Sequence, residues 1–376
     1  MRRVIKWGRR AAVWAAVLVL TSGSAAAAGW TLTELGTLGG AASAADALNA
    51  AGQVSGYAEA ADGTPYPVRW TAGVPTALAP RPGRALALAP AGTAAANAMS
   101  TDGTRLVPTL LAGGAAVDLG TLGGSFGNVT GVNDLGQVIG YARTADEKDH
   151  AFVATVAGML DLGTYGGAYS YAYGINASGL VVGSAYDVAG NARCFLWTGG
   201  ALVDPGTLGG TSCNARAVND AGQVTGNSSG PNGLGRAFRY DGGTMVDLGT
   251  LGGTTSVGYA ISRVGHVVGS ARTAGNQNHA FLHDGSGMLD LGTFGGALSV
   301  ATGVNALGHV VGYATTATGS RQPFLYRDGV MLNINTLVPG LGNVDPNRLC
   351  INDAGQVAGT GTIDGRTRAF LLTPVP

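Results

Sequence analysis

Charge is scarce in this sequence: Asp, Glu, Lys and Arg make up 12% of 376 residues, about half the usual share. Lysine occurs only at Lys6 and Lys148, and the 22 basic residues are matched by 22 acidic ones. A chain with no basic stripe is a poor partner for nucleic acid, which is excluded here. Cysteine is scarce too, at three, so a disulfide-dense mini-protein is excluded. None of the three sits in CxxC spacing, which leaves no zinc site built on them. Long apolar runs are missing. The one apolar stretch, Ala11 to Leu20, is shorter than the ~20 residues a membrane span needs, so a polytopic membrane protein is excluded. What is abundant is glycine. With 65 Gly and 14 Pro, about a fifth of the chain, the composition stays below the ~25–30% typical of low complexity. The chain is foldable and long enough for one large domain.

The first residues read as a targeting segment. Arg2, Arg3, Lys6, Arg9 and Arg10 precede the apolar stretch, and small residues follow up to Ala28. A basic region, a short apolar core and small residues form a secretory signal peptide, with cleavage near Ala28. An uncleaved anchor is the alternative. The expected organisation is a signal peptide over 1–28 and a single domain over 29–376, exported to the periplasm or the exterior. Cleavage leaves 17 basic against 22 acidic residues. The odd cysteine count leaves at least one unpaired thiol. Cys194 and Cys213 lie in adjacent repeats, where they either pair with each other or remain buried thiols beside Cys350.

One unit repeats along the whole chain. Asp-Leu-Gly-Thr-x-Gly-Gly begins at Asp118, and variants begin at Asp161, Asp204, Asp247 and Asp290, always 43 residues apart. A decayed copy starts at Asn333 and an earlier one at Glu34, and Val74 to Leu78 marks a degenerate start between Glu34 and Asp118. Asn133, Asn176, Asn219 and Asn305 recur in the same register, with Ser262 in the remaining slot and a Gly three residues after each. Phe152, Phe195, Phe238, Phe281 and Phe324 mark a third element. The last unit shows Asn352, Gly355 and Phe370, and the first Asn49, Gly52 and Val68. The second unit is worn. Ser100 and Gly103 read as its Asn…Gly element, and its later hairpin reads about ten residues short.

These strings, with His150-Ala151-Phe152 and His279-Ala280-Phe281, resemble the HAF family of extracellular repeats, named for a His-Ala-Phe string. The resemblance covers residues 30–372. It implies a bacterial exported repeat protein and no established activity. Other copies depart from the string, reading Arg-Cys-Phe, Arg-Ala-Phe or Gln-Pro-Phe.

Each unit reads as four short strands. In the fourth unit these are Tyr171 to Asn176, Leu180 to Ala185, Cys194 to Trp197 and Ala201 to Asp204. Asn176-Ala-Ser-Gly179 fits a tight hairpin turn, with Gly free to take positive φ. Apolar runs such as Phe195-Leu-Trp197 suit strands buried on both faces. A four-stranded antiparallel unit of about 40–45 residues matches a propeller blade. The chain begins on a fourth strand, Trp30 to Leu35, and ends after a third, Ala369 to Leu372. The expected fold is therefore all-β: a closed propeller of eight four-stranded blades, with the N-terminal strand completing the last. Seven blades is the alternative if the worn unit forms none.

Repetition bears on chemistry, because one reaction needs one differentiated constellation and not several equivalent copies. The five repeated aspartates are expected to accept hydrogen bonds from the following turn. Leu122, Tyr165, Leu208, Leu251 and Phe294 are expected to plug the seams between blades. The Asn-Asp-x-Gly turns lack the spacing of a calcium loop, which leaves calcium as a weak alternative to no cofactor. His150, His266, His279, His283 and His309 show no metal-ligand spacing. Gly226 to Gly230 matches GxSxG but lacks the strand-to-helix elbow that motif requires. Departures from the repeat are the better places to look: Arg143 to His150, the Pro/Ala-rich Ala79 to Asn97 read as an insertion, and Val338 to Asn347. No residue is assigned to catalysis, cofactor or metal. The expected function is a monomeric, non-enzymatic binding scaffold for a protein or glycan, without a membrane span after cleavage. The alternatives are a polysaccharide-acting hydrolase or lyase and a structural envelope or matrix component.

Overall fold

The computed structural model describes residues 29–375, so the signal peptide assigned to 1–28 lies outside the described residues. The protein is all-β, with one short 3-10 turn at Ile334–Thr336 among the described residues. It is built of several antiparallel sheets of about four strands that follow the repeats in order, a propeller-like arrangement. The third unit shows the complete pattern, in Gly123–Val132, Val138–Thr144, Asp149–Thr155 and Gly158–Asp161. Each strand pairs with the next.

The fourth unit departs from expectation in its last strand. Gly166–Ile175, Val181–Asp187 and Ala192–Trp197 form a sheet, but Ala201 to Asp204 is reduced to one bridge, Leu196 to Val203. Proline explains this. In other units the residue after the repeated Asp donates its N–H to the third strand, as Leu162 does to the Ala151 carbonyl at 2.9 Å. Pro205 stands at that place and has no N–H. The orphaned Cys194 carbonyl accepts instead from the Tyr165 hydroxyl at 3.2 Å. The first-to-second turn forms as expected: Gly179 donates to the Asn176 carbonyl at 3.1 Å with φ +88.

The second unit corrects three readings. It forms its own four-stranded sheet, Gly83–Leu88, Ala94–Met99, Leu106–Ala112 and Ala115–Asp118. Ala79 to Asn97 is thus not a loop insertion but the unit's first two strands, and Ala85, Ala94, Ala95 and Ala96 are fully buried. Its Asn…Gly element is Ala89 to Gly92, whose turn closes at 2.9 Å, whereas Ser100 to Gly103 turns between the second and third strands. Nor is the later hairpin short. The shortening lies before it, between the fourth strand of the first unit and the first turn: Ala77 stands 12 residues before Ala89, whereas the equivalent Asp161 stands 15 before Asn176. Val338 to Asn347 is likewise more than a loop: Val338, Leu341 and Val344 are buried in the core between the last two units.

The core lies between sheets. Ile139, Ala151 and Val153 of the third unit pack on Ala172, Val181 and Phe195 of the fourth, with Tyr165 at the seam as expected. Phe152, Phe195, Phe238, Phe281, Phe324 and Phe370 are all fully buried, each paired across the sheet with a glycine such as Gly140 or Gly183. The glycine leaves the space that the ring occupies.

A first-strand position staples several units to the one before. Ser170 Oγ accepts from the Ala151 N–H at 2.8 Å and donates to the Gly163 carbonyl at 2.6 Å. Ser256 does the same for Ala237, and Ser299 for Ala280. Cys213 and Cys194 occupy the equivalent pair and form a disulfide. Where Pro108 supplies no N–H, the partner position is Gly127, which leaves 2.7 Å to the proline ring for an added Cβ. Ser43 makes the same staple to Ala369 across 326 residues. Cys350 is free, and burial pushes its thiol up to about 12. Reducing the disulfide, whose cysteines are 19 apart in sequence, is expected to cost about 3 kcal/mol. Urea midpoints with and without dithiothreitol measure this, and an unchanged midpoint would contradict it.

The segment Trp30–Leu35 pairs antiparallel with Arg366–Pro374, in register from Trp30 opposite Pro374 to Leu35 opposite Ala369. Leu35, Ala369 and Leu371 pack with Ala45, Val54 and Trp70 of the first unit.

Candidate functional site

The repeated polar residues are engaged in the framework. At the end that carries the first-to-second strand turns, buried asparagines join neighbouring units. Asn133 Nδ2 donates to the Asn176 carbonyl at 3.1 Å, Asn176 to Asn219 at 3.1 Å and Asn219 to Ser262 at 2.9 Å. Asn305 donates to Asn352, and Asn352 to Asn49, both at 3.0 Å. Each Oδ1 meanwhile accepts from its own turn, as from the Leu180 N–H at 2.9 Å. The amide offers N–H donors to the neighbour and a carbonyl oxygen to its own turn at the same time. The adjoining aspartates do similar work: Asp220 accepts from Ala177 N–H at 2.9 Å, and Asp353 from Ala306 N–H at 2.7 Å. These carboxylates are thus taken up by backbone donors. Among the described residues no group of three or more His, Cys, Asp or Glu is placed to hold a metal.

Ser262 interrupts the ladder, because it has no amide donor. Asn219→Ala is expected to cost about 1–3 kcal/mol by leaving buried groups unpaired, and Ser262→Asn to add about 1 kcal/mol. Chemical denaturation of the two variants measures both. Equal midpoints would show that the ladder contributes nothing.

At the opposite end, Asp161, Asp204 and Asp290 each have two partners, while Asp247 accepts from the Gly249 N–H of its turn at 2.8 Å. In each of the three, Oδ1 accepts from the turn, at 2.7 Å from Gly163 to Asp161 and 2.8 Å from Gly206 to Asp204, as the sequence suggested. The carboxylate also meets the side chain that opens the His-Ala-Phe string: His150 to Asp161 at 2.9 Å, Arg193 to Asp204 at 2.7 Å and His279 to Asp290 at 2.9 Å. Gln322 and Asn333 form a neutral version at 3.3 Å. This accounts for the variation of His, Arg and Gln at one position. Asp118 is different, since it pairs with Arg81 at 2.6 Å and Thr101.

The remaining sequence candidates also resolve into structure. His266 and His309 sit in first turns, and burial lowers the His309 pKa, with Arg327 adding to the effect. His283 is lowered in the same way, with Arg239 nearby. Ser228 of the GxSxG match is buried within the strand Val224–Ser229, where its Oγ accepts from the Leu208 N–H at 3.0 Å. The Arg143 to His150 cluster pairs within itself, Arg143 with Glu147 at 3.0 Å and Lys148 with Asp146 at 2.9 Å. Asp146 is held down to about 2 by the Thr144 hydroxyl and Lys148.

What breaks the repeat is a surface across the first four units. A cleft of about 550 Å³ opens where the worn unit's first strand is short, lined by Tyr57, Glu59, Arg84, Leu86, Leu106 and Asn128, among others. Arg84 lies over the Tyr57 ring, 5.0 Å from its centroid, and grips the Asp46 carboxylate with two nitrogens. Burial raises the Asp46 pKa against the opposing pull of Arg84 and Arg348. Asn97 donates to Asn128 Oδ1 at 2.8 Å. Two residues before Asn128, Phe126 is exposed and packs 6.1 Å from Tyr141. Tyr141 meets Tyr171 edge-on at 5.1 Å, and the exposed Tyr169 meets Tyr186 at 6.1 Å. Burial pushes the Tyr171 hydroxyl up to about 12, helped by the nearby Asp149 charge. Sequence reasoning missed this surface. Its signal was Tyr169, Tyr171 and Tyr173 at alternate positions in one copy only.

No family model matches the sequence, and no curated protein matches it. Among solved structures, puromycin hydrolase complexed with PGG is similar over 86% of this chain and 59% of its own, at 14% identity and a TM-score of 0.49. YCF48 bound to D1 peptide is similar over 92% of this chain and 95% of its own, at 12% identity and a TM-score of 0.42. TolB from Acinetobacter baumannii is similar over 64% and 63%, at 12% identity and a TM-score of 0.41. The chain spans about three fifths of the length of the first structures it matches. Likeness at this level assigns no activity.

Proposed function

We propose that this chain is an exported bacterial protein of the HAF-repeat type that works as a monomeric, non-enzymatic binding scaffold. Its fold in this reading is a closed ring of eight blades over residues 29–376, counting the worn unit as a blade. The pairing of Trp30–Leu35 with the last sheet and the staple from Ser43 to Ala369 support closure, which removes exposed sheet edges. Among the described residues no helix is long and apolar enough to cross a membrane.

One observation carries the binding reading. The repeat-equivalent Asn, Asp, His and Arg side chains hold units together or hold their own turns, while the non-equivalent residues gather on one aromatic-lined surface. A rigid ring that presents one irregular surface suits recognition. The test uses residues 29–376 with chromogenic ester, peptide and polysaccharide substrates, alongside melting curves against the same compounds. The expected result is no turnover and a saturable rise in melting temperature with one class. Turnover that disappears on substitution within the aromatic surface contradicts the reading.

A further inference from the structure

We propose that the cleft at the worn second unit binds a short neutral oligosaccharide, a refinement that rests on the scaffold reading above.

The cleft exists because of a deletion in the repeat. Complete units reach this end with a Gly-Gly arm ahead of or within the first strand, as in Gly39–Leu48 and Gly123–Val132, whereas the second unit has no Gly-Gly there and enters through Pro80-Arg81-Pro82 into Gly83–Leu88. The space left, about 550 Å³, lies within the ~300–1,000 Å³ of small-ligand clefts.

Its lining has two kinds of surface. Tyr57, Pro65, Leu86 and Leu106 supply apolar area, and Leu106 is 49% exposed with its side chain on the cleft. Glu59, Arg84, Asn97 and Asn128 supply polar groups. A pyranose has the matching pair: C–H faces that lie on apolar and aromatic surface, and hydroxyls that both donate and accept. Amides answer hydroxyls because they too do both.

Charge selects neutral sugars over acidic ones. Arg84 and Arg348 share Asp46, and Arg348 also meets Asp345 at 3.6 Å, so two carboxylates answer the two guanidiniums, and Glu59 adds a negative charge whose Oε2 accepts from the Ala42 N–H at 2.9 Å. No cation in the lining is left free to meet a carboxylate or sulfate. The exposed Phe126 and Tyr169 beyond Asn128 extend the apolar surface, so a chain of several rings fits better than a monosaccharide.

The test is titration calorimetry of residues 29–376 with cellohexaose, chitohexaose, maltohexaose and xylohexaose, and with oligogalacturonate as the acidic comparison. The expected result is saturable binding of at least one neutral hexasaccharide, weaker binding of its monosaccharide and none of the oligogalacturonate. Leu106→Asp is exposed and is expected to fold normally, with an unchanged melting temperature and affinity lowered at least tenfold. Asn97→Ala is the second variant, accepted only if its melting curve stays cooperative, and the same loss is expected. No binding of any neutral hexasaccharide, or binding that survives Leu106→Asp, overturns the cleft proposal and leaves the scaffold reading to its own test. Turnover of the bound sugar supports the cleft and overturns the non-enzymatic reading.

Discussion

Deleting residues 29–36 is expected to destabilise the protein by at least about 5 kcal/mol, far more than a short terminal strand contributes in most folds. The figure follows from what the strand buries. Leu35 is 1% exposed, and Trp30 and Leu32 pack against the core of the last two units. Burying each such side chain is worth about 1.5–3 kcal/mol. The deletion also removes the Arg368–Glu34 pair and the Gly36 carbonyl that accepts from the Trp70 indole at 2.8 Å. It leaves Arg366–Pro374 as an open edge, which invites association. Urea denaturation together with light scattering reads both effects. A midpoint within error of the parent chain contradicts the account.

Gly183→Ala is expected to cost about 3 kcal/mol or more, and Gly200→Ala close to nothing. A Cβ at Gly183 overlaps the Tyr171 carbonyl oxygen and comes within 2.7 Å of the Phe195 ring. Overpacking a closed site costs about 1–3 kcal/mol and occasionally more, because a packed core does not yield without moving backbone. At Gly200 nothing lies within 4 Å of an added Cβ. The double variant Gly183→Ala with Phe195→Ala separates the two contacts. The ring clash disappears, the carbonyl clash stays, and the lost ring itself costs about 3–5 kcal/mol, so no rescue is expected. A restored midpoint would show that the aromatic alone sets the need for glycine.

Much of this framework is legible in the sequence because a repeat exposes its own rules. The 43-residue step marks Asn176 and Asp161 as turn residues, and each accepts from its own turn as expected, whereas the bond from Asn133 to the Asn176 carbonyl of the next unit was not read from the sequence. Glycine three residues after each Asn marks the hairpin. Other rules need the sheet register before they can be seen. The pairing of Ala151 with Ser170, Cys194 with Cys213 and Pro108 with Gly127 is a single substitution pattern at one contact. Its members lie 19 residues apart in the chain, on strands of different sheets, so strand patterns alone do not connect them. The worn unit is misread because Ser100-Thr-Asp-Gly103 imitates the Asn-x-x-Gly string, whereas a step of 43 back from Asn133 reaches Pro90, inside the true turn from Ala89 to Gly92.

The cleft was the least legible feature. Tyr57, Arg84, Asn97 and Asn128 are far apart in sequence, and none carries a motif. They meet because a second-strand residue of each unit faces a first-strand residue of the next, as Tyr57 faces Arg84, Asn97 faces Asn128 and Tyr141 faces Tyr171. A deletion in the repeat reads as decay in sequence, yet in three dimensions it opens an amphipathic recess of about 550 Å³.

Closure of the ring is the central claim, and a cross-link at the seam tests it most directly. Thr31 and Thr373 lie opposite each other in the pairing of the first and last strands. With Thr31→Cys and Thr373→Cys introduced together, mild oxidation is expected to give a disulfide within a monomeric chain, seen as a linked peptide by mass spectrometry. Two free thiols, or links only between chains, would contradict closure.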